Sequence, residues 1–168
     1  AATLAGARVA SLALGGADYS RMVVAAMRDF VAQGGIAVVA AGNEGTELDF
    51  PGLLPESLTV GAVDRQGGVP DWVSGAPYPH GVDAAAPGVD VPTLRRDGTI
   101  GLSSGTSLST ALASGAVALA LAVRPELTAG PETIWHLREL LGRTAQPLPA
   151  GRNRTGFGLM DALAMVQG

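Results

Sequence analysis

Three short stretches of this chain, Val9–Leu14, Ile36–Ala41 and Leu58–Val63, are apolar almost throughout rather than at every second position. A strand with one wet face alternates apolar and polar residues, so runs without alternation belong to strands covered on both faces, as in a parallel sheet flanked by helices. Between the first two runs, Ser20–Gln33 carries Met22, Ala26, Met27, Phe30 and Val31 at helical spacing and is closed by Gly34-Gly35. Aromatic residues make up only 4% of the chain. The core must therefore be built from small aliphatic side chains, which suits helices packed on a parallel sheet better than a β-sandwich.

The rest of the chain is punctuated by glycine and proline. Val82–Ala86 reads as a further strand segment and Arg95-Arg96-Asp97-Gly98 as the turn of a hairpin. Ser107–Val123 reads as a long buried helix, Pro131–Leu141 as an amphipathic helix with proline in its first turn, and Asp161–Val166 as a closing helix capped by Asp161. No repeat, low-complexity tract or linker divides it, so residues 1–168 are expected to form one α/β domain. Its longest apolar tract, Ala111–Val123, is shorter than the roughly 20 residues a membrane span needs, and the start of the chain lacks the pattern of an export signal. A net charge of −4 and a pI near 5.0 exclude a nucleic-acid-seeking surface. With no cysteine there is no disulfide framework, thiolate zinc site or cysteine nucleophile. All 11 basic residues are arginine, and the absence of lysine disfavours a phosphate-binding loop.

Two segments depart from bland packing. Ala40-Ala41-Gly42-Asn43-Glu44-Gly45 follows a buried strand, the end at which open α/β sheets bind ligands, and an asparagine amide there can donate into a cleft. The same residues also suit an ordinary turn. Gly105-Thr106-Ser107 leads into the long apolar helix, where free N–H groups of the first turn can stabilise an oxyanion beside the Ser107 hydroxyl. Ser107 also suits a simple N-cap. The segment is not the G-x-S-x-G elbow of the α/β-hydrolases, because Ser109 replaces the second glycine.

The order of these segments resembles the C-terminal part of the catalytic domain of the subtilisin-like serine proteases, the subtilases. Ala7-Arg8-Val9-Ala10-Ser11-Leu12-Ala13-Leu14-Gly15-Gly16 resembles the family strand that ends in Ser-Leu-Gly-Gly, and Gly35-Ile36-Ala37-Val38-Val39-Ala40-Ala41-Gly42-Asn43-Glu44-Gly45 resembles the one that ends in the oxyanion-hole asparagine. Phe50-Pro51-Gly52, Val60-Gly61-Ala62-Val63-Asp64, Ala86-Pro87-Gly88, Gly105-Thr106-Ser107 and Gly156-Phe157-Gly158-Leu159-Met160-Asp161-Ala162 follow in the family's order over nearly the whole chain. The resemblance implies a doubly wound, mostly parallel sheet with helices on both faces. It implies peptide-bond hydrolysis with Ser107 as nucleophile and Asn43 as oxyanion donor. Leu14, Gly15, Gly16, Ala41, Gly42, Gly105 and Thr106 would line the substrate cleft, with Leu14, Gly15, Ala41 and Gly42 bordering a pocket roomy enough for a large apolar residue before the scissile bond.

Several residues depart from the family pattern. The catalytic Asp and His of the family lie upstream of everything matched here and have no counterpart, so a complementary N-terminal segment carrying both is the partner the resemblance implies. It would come from the same precursor or from a separate chain. A serine hydroxyl without a base is a poor nucleophile, and the chain alone is expected to be nearly inert. His80, in a surface loop, and His136, on a solvated helix face, are not expected to substitute. The Val9–Leu14 strand would pair on its open side with that segment. Ala111 stands where the family has a proline, and Ala13 where it has a serine. Calcium is possible by resemblance, but Asp49, Asp64, Asp83 and Asp90 form no recognisable loop, and no metal site is assigned. The family suggests a secreted location. The alternative to an enzyme is a subtilase remnant that binds peptides or a protein without cleaving them.

Overall fold

The computed structural model describes residues 6–79, 81–128 and 130–167. Strands β1 (Val9–Leu12), β2 (Ile36–Ala40), β3 (Ser57–Val63) and β4 (Ala84–Pro87) form a single parallel sheet in chain order. Val9 lies opposite Ile36, Ala37 opposite Ser57, and Val60 opposite Ala84. Every residue of β2 and β3 is buried, as runs without alternation require. The two faces divide by parity. Ile36 and Val38 join Leu58, Val60, Ala84 and Ala86 in one cluster, while Ala37 and Val39 join Phe50 and Leu54 in another.

Helix α1 (Arg21–Ala32) covers the second face with Val24, Met27 and Phe30, and starts where Ser20 Oγ accepts a hydrogen bond from Val23 N at 3.4 Å. The first face is covered by α2 (Thr106–Val123), α3 (Thr133–Thr144) and, later in the chain, α5 (Ala162–Gln167). Leu137, Leu140 and Leu141 of α3 are almost fully buried, each contributing roughly 1.5–3 kcal/mol of apolar burial. The expected α/β architecture with helices on both faces is present. Between β4 and α2 the expected hairpin is β5 (Val91–Leu94) paired antiparallel with β6 (Ile100–Ser103).

The differences from expectation are local. β1 ends two residues early and β2 one, because the chain turns away from the ladder into the glycine-bearing loops. β4 begins at Ala84 rather than Val82, and α3 begins after Pro131 and runs on to Thr144. A 3-10 turn at Pro125–Thr128 and the short helix α4 (Arg152–Thr155) are too brief to carry a periodic signal. The Gly156-Phe157-Gly158-Leu159 segment runs beside β4, with Ala85 N donating to Gly158 O and Met160 N to Ala85 O, both at 2.8 Å. Gly158 holds φ at +126°, a value that a side chain would resist.

Helix α2 begins at Thr106, earlier than the apolar tract, so by length and composition it does reach what a membrane crossing needs. It packs instead across all four strands, with half of its residues buried. Its other face is uncovered among the described residues: Ala111, Leu112, Gly115, Ala118, Leu119, Ala122 and Val123 form an exposed apolar stripe at helical spacing. β1 is the edge of the sheet and pairs only with β2 among the described residues.

One buried ion pair fastens α3 to the sheet. Arg138 Nε donates to Asp83 Oδ1 at 2.8 Å and its Nη2 to Ser57 O at 2.9 Å, while Asp83 Oδ2 accepts from Thr59 N at 2.8 Å. Burial raises the Asp83 carboxyl above its ordinary range, outweighing the opposing pull of Arg138 and the Thr59 N–H. A raised carboxyl favours folding below the pKa of the unfolded chain, and that contribution is lost as pH rises through the folded value. Arg138→Met removes the counter-charge and raises the carboxyl further. The expected cost is about 3–5 kcal/mol at pH 7, shrinking toward pH 4 as Asp83 protonates, read as the wild-type-minus-variant difference in urea unfolding.

Candidate active site

The C-terminal ends of β1 and β2 and the N-terminus of α2 meet at one end of the sheet, bringing three distant segments together. Gly105 is the N-cap of α2 at φ +155°, a backbone angle rarely open to other residues, and it supplies no side-chain cap. The missing cap comes from across the fold. Asn43 Oδ1 accepts from Thr106 N at 2.9 Å and from Thr106 Oγ1 at 3.0 Å, and Gly42 N donates to Thr106 Oγ1 at 3.3 Å. Because a backbone N–H can only donate, the amide is oriented with its oxygen toward α2. Its Nδ2 is left without a partner among the described residues, on an exposed side chain.

Ser107 is the second residue of α2, not its cap. Its hydroxyl donates to Ala13 O at 3.2 Å, which brings the Ala13-Leu14-Gly15-Gly16 segment to the same place. The Ser107 N–H has no partner among the described residues, as the first turn of a helix leaves it. Further along α2, Ser109 Oγ donates to Ala86 O at 3.0 Å, and Thr110 and Ser114 bond back to the carbonyls four residues earlier. These buried hydroxyls are satisfied. The Ser107 hydroxyl, by contrast, is only half-buried and bonds to the segment that follows β1.

The residues expected to line a cleft lie at this same end of the sheet. Leu14, Gly15 and Gly16 are exposed beyond the end of β1, and Gly16 exchanges two 3.0 Å backbone hydrogen bonds with Phe50. Ala41, Gly42, Gly105 and Thr106 are buried beneath them. Between the two glycine-bearing ends stands Asp49, which sequence reasoning places only among scattered carboxylates and not in the cleft. A methyl group placed on Gly15 would lie 2.7 Å from Asp49 Cβ, and one placed on Gly42 would lie 2.7 Å from Asp49 Oδ2. Asp49 N donates to Ala41 O at 3.1 Å, which ties its backbone to the end of β2. The only sequence signal for that role is its position directly before Phe50-Pro51-Gly52.

No imidazole or carboxylate hydrogen-bonds Ser107 among the described residues. His136 is on the exposed face of α3, with Nε2 4.0 Å from Glu132, and lines a groove of about 850 Å³ with Trp135, Tyr78 and Phe157. That groove lies beside Asp83 at the start of β4, at the end of the sheet away from Ser107. His80 lies outside the described residues. No group of three or more His, Cys, Asp or Glu gathers as a metal site among the described residues.

The profile described as the Subtilase family matches residues 1–159. Subtilisin BL and Subtilisin Savinase of Lederbergia lenta are each 31% identical over 166 residues, covering 96% of this chain and 57% of theirs. The cell wall-associated protease of Bacillus subtilis (strain 168) is 35% identical over 123 residues, 73% of this chain and 13% of that one. The solved structure of the prenylagaramide maturation protease PagA superposes with a TM-score of 0.80 at 25% identity, covering 99% of this chain and 63% of that one. The chain thus spans a little over half the length of Subtilisin BL and Subtilisin Savinase.

The two ends of the Asn43 amide are separable. Asn43→Ala removes the acceptor of two Thr106 donors and is expected to cost about 1–2 kcal/mol in urea unfolding. Asn43→Asp keeps an acceptor at a helix N-terminus and is expected to hold stability close to that of the unaltered chain.

Proposed function

The chain belongs to the subtilase family, and from that premise we propose that it is the part of a serine endopeptidase that carries the nucleophile and the oxyanion hole. The observation that carries the reading is the pairing of Ser107 with Asn43 at the start of α2. A hydroxyl and two donors without a partner among the described residues, Ser107 N–H and Asn43 Nδ2, sit on elements tied together by the Thr106 hydrogen bonds. A binding module has no need of that combination.

In the proposed reaction Ser107 Oγ attacks the carbonyl carbon of the scissile peptide bond while its proton passes to a base. The carbonyl oxygen takes up the negative charge and is stabilised by Ser107 N–H and Asn43 Nδ2. The amine then leaves with the proton, and water releases the acyl group from Ser107. Preorganised donors of this kind act without reorganising during the reaction, which is why their placement on a helix start and a strand end matters.

The base and its orienting carboxylate are proposed to come from a complementary N-terminal subtilase segment, joined to this chain in one polypeptide or docked onto it. The open edge of β1 and the apolar stripe of α2 support this reading. An apolar strand edge unpaired among the described residues and a row of exposed Leu112, Leu119 and Val123 are surfaces that a protein normally covers.

In the protein isolated with everything that accompanies this chain, a fluorophosphonate probe is expected to add its mass to Ser107, with no labelling of Ser107→Ala. Absence of labelling in every preparation would favour the non-catalytic binding module. Asn43→Asp is expected to lower turnover by about 100- to 1,000-fold while folding normally, the magnitude known for loss of the oxyanion asparagine in subtilisin itself.

A further inference from the structure

Asp49 is half-buried, and its carboxylate makes no hydrogen bond or ion pair among the described residues. It lies between Gly15 and Gly42, within 3.0 Å of where a side chain on either would begin. The surrounding loops offer it no counter-charge. Residues 13–20 and 41–55, which follow β1 and β2, hold Asp18, Glu44, Glu47 and Asp49 and no arginine. A half-buried carboxylate without a partner gains from a cation placed against it and loses when an apolar group displaces its water.

Resting on the proposed catalytic role of this cleft, we propose that Asp49 makes the pocket for the residue before the scissile bond selective for arginine or lysine. The small residues that suggested room for a large apolar side chain are the walls of this recess. The absence of side chains on Gly15 and Gly42 is what lets Asp49 stand between them and lets an extended substrate side chain reach its carboxylate. The guanidinium fork of arginine matches both carboxylate oxygens, so arginine is preferred over lysine. The apolar residue is rejected because it would strip water from Asp49 and replace it with nothing.

The test has two arms, both on the protein isolated with its accompanying segments. In the first, peptides differing only at the residue before the cleaved bond are compared by kcat/KM. Arginine and lysine are expected to exceed phenylalanine and leucine by about 10- to 100-fold, and Asp49→Asn to bring that ratio near one. In the second, Ser107→Ala is titrated with product-like peptides ending in arginine or in leucine. The arginine peptide is expected to bind at least about tenfold more tightly, with the difference lost in the Ser107→Ala, Asp49→Asn double variant. Preference for an apolar residue in either arm, arginine preference that survives Asp49→Asn, or no binding of either peptide would overturn the proposal. Arginine-selective binding without any turnover supports the pocket and counts against the catalytic reading alone.

Discussion

The arrangement at the end of the sheet hangs on a single oxygen. Asn43 Oδ1 accepts both donors of Thr106 and so supplies, from the end of β2, the cap that Gly105 cannot give to α2. This bond sets where the helix starts, and with it the direction of the Ser107 hydroxyl and N–H. It also sets the amide's orientation, since the oxygen is taken by the helix and the nitrogen is left without a partner among the described residues. The oxygen of this side chain meets a structural need, and the proposed oxyanion role would fall to its nitrogen. Ser109, bonded to Ala86 O at the end of β4, holds the next turn of α2 on the sheet, so the helix start is fixed from two strands.

Much of this was legible in the sequence. Strands β2 and β3 are buried at every residue, as their unbroken apolar runs require. The glycines at the strand ends and the Asn43 and Ser107 segments stand out in the sequence because each breaks an apolar element with residues that packing alone does not require. What was not legible depends on contacts between residues far apart in the chain. Ser107 reads equally well as an N-cap until the Asn43–Thr106 bonds, spanning 63 residues, place the cap elsewhere. Asp49, in a loop already rich in glycine and carboxylates, looks like one more solvated charge until Gly15 is brought against it. The Arg138–Asp83 pair was hidden in the same way, as a charged residue on an amphipathic helix normally faces water.

The small side chains have a consistent role. Alanine and glycine along β4, α2 and the strand ends let the helix lie close to the sheet and let backbone meet backbone near Gly42 and Gly105. On the face of α2 turned from the sheet, the same composition leaves a shallow apolar stripe in place of a charged surface. That stripe and the free edge of β1 are where the base-bearing segment is proposed to seat, which would bring an imidazole to Ser107 from the side that the described residues leave open.

Convergence of Ser107 N–H and Asn43 Nδ2 on one oxyanion is the central claim. A crystal structure of the isolated protein, with its accompanying segments, bound to a peptide boronate tests it directly. The predicted result is a tetrahedral boron on Ser107 Oγ with one boronate oxygen about 2.7–3.1 Å from both donors. A boronate that binds away from Ser107, or one whose oxygen turns to solvent while Asn43 Nδ2 stays unengaged, would contradict it.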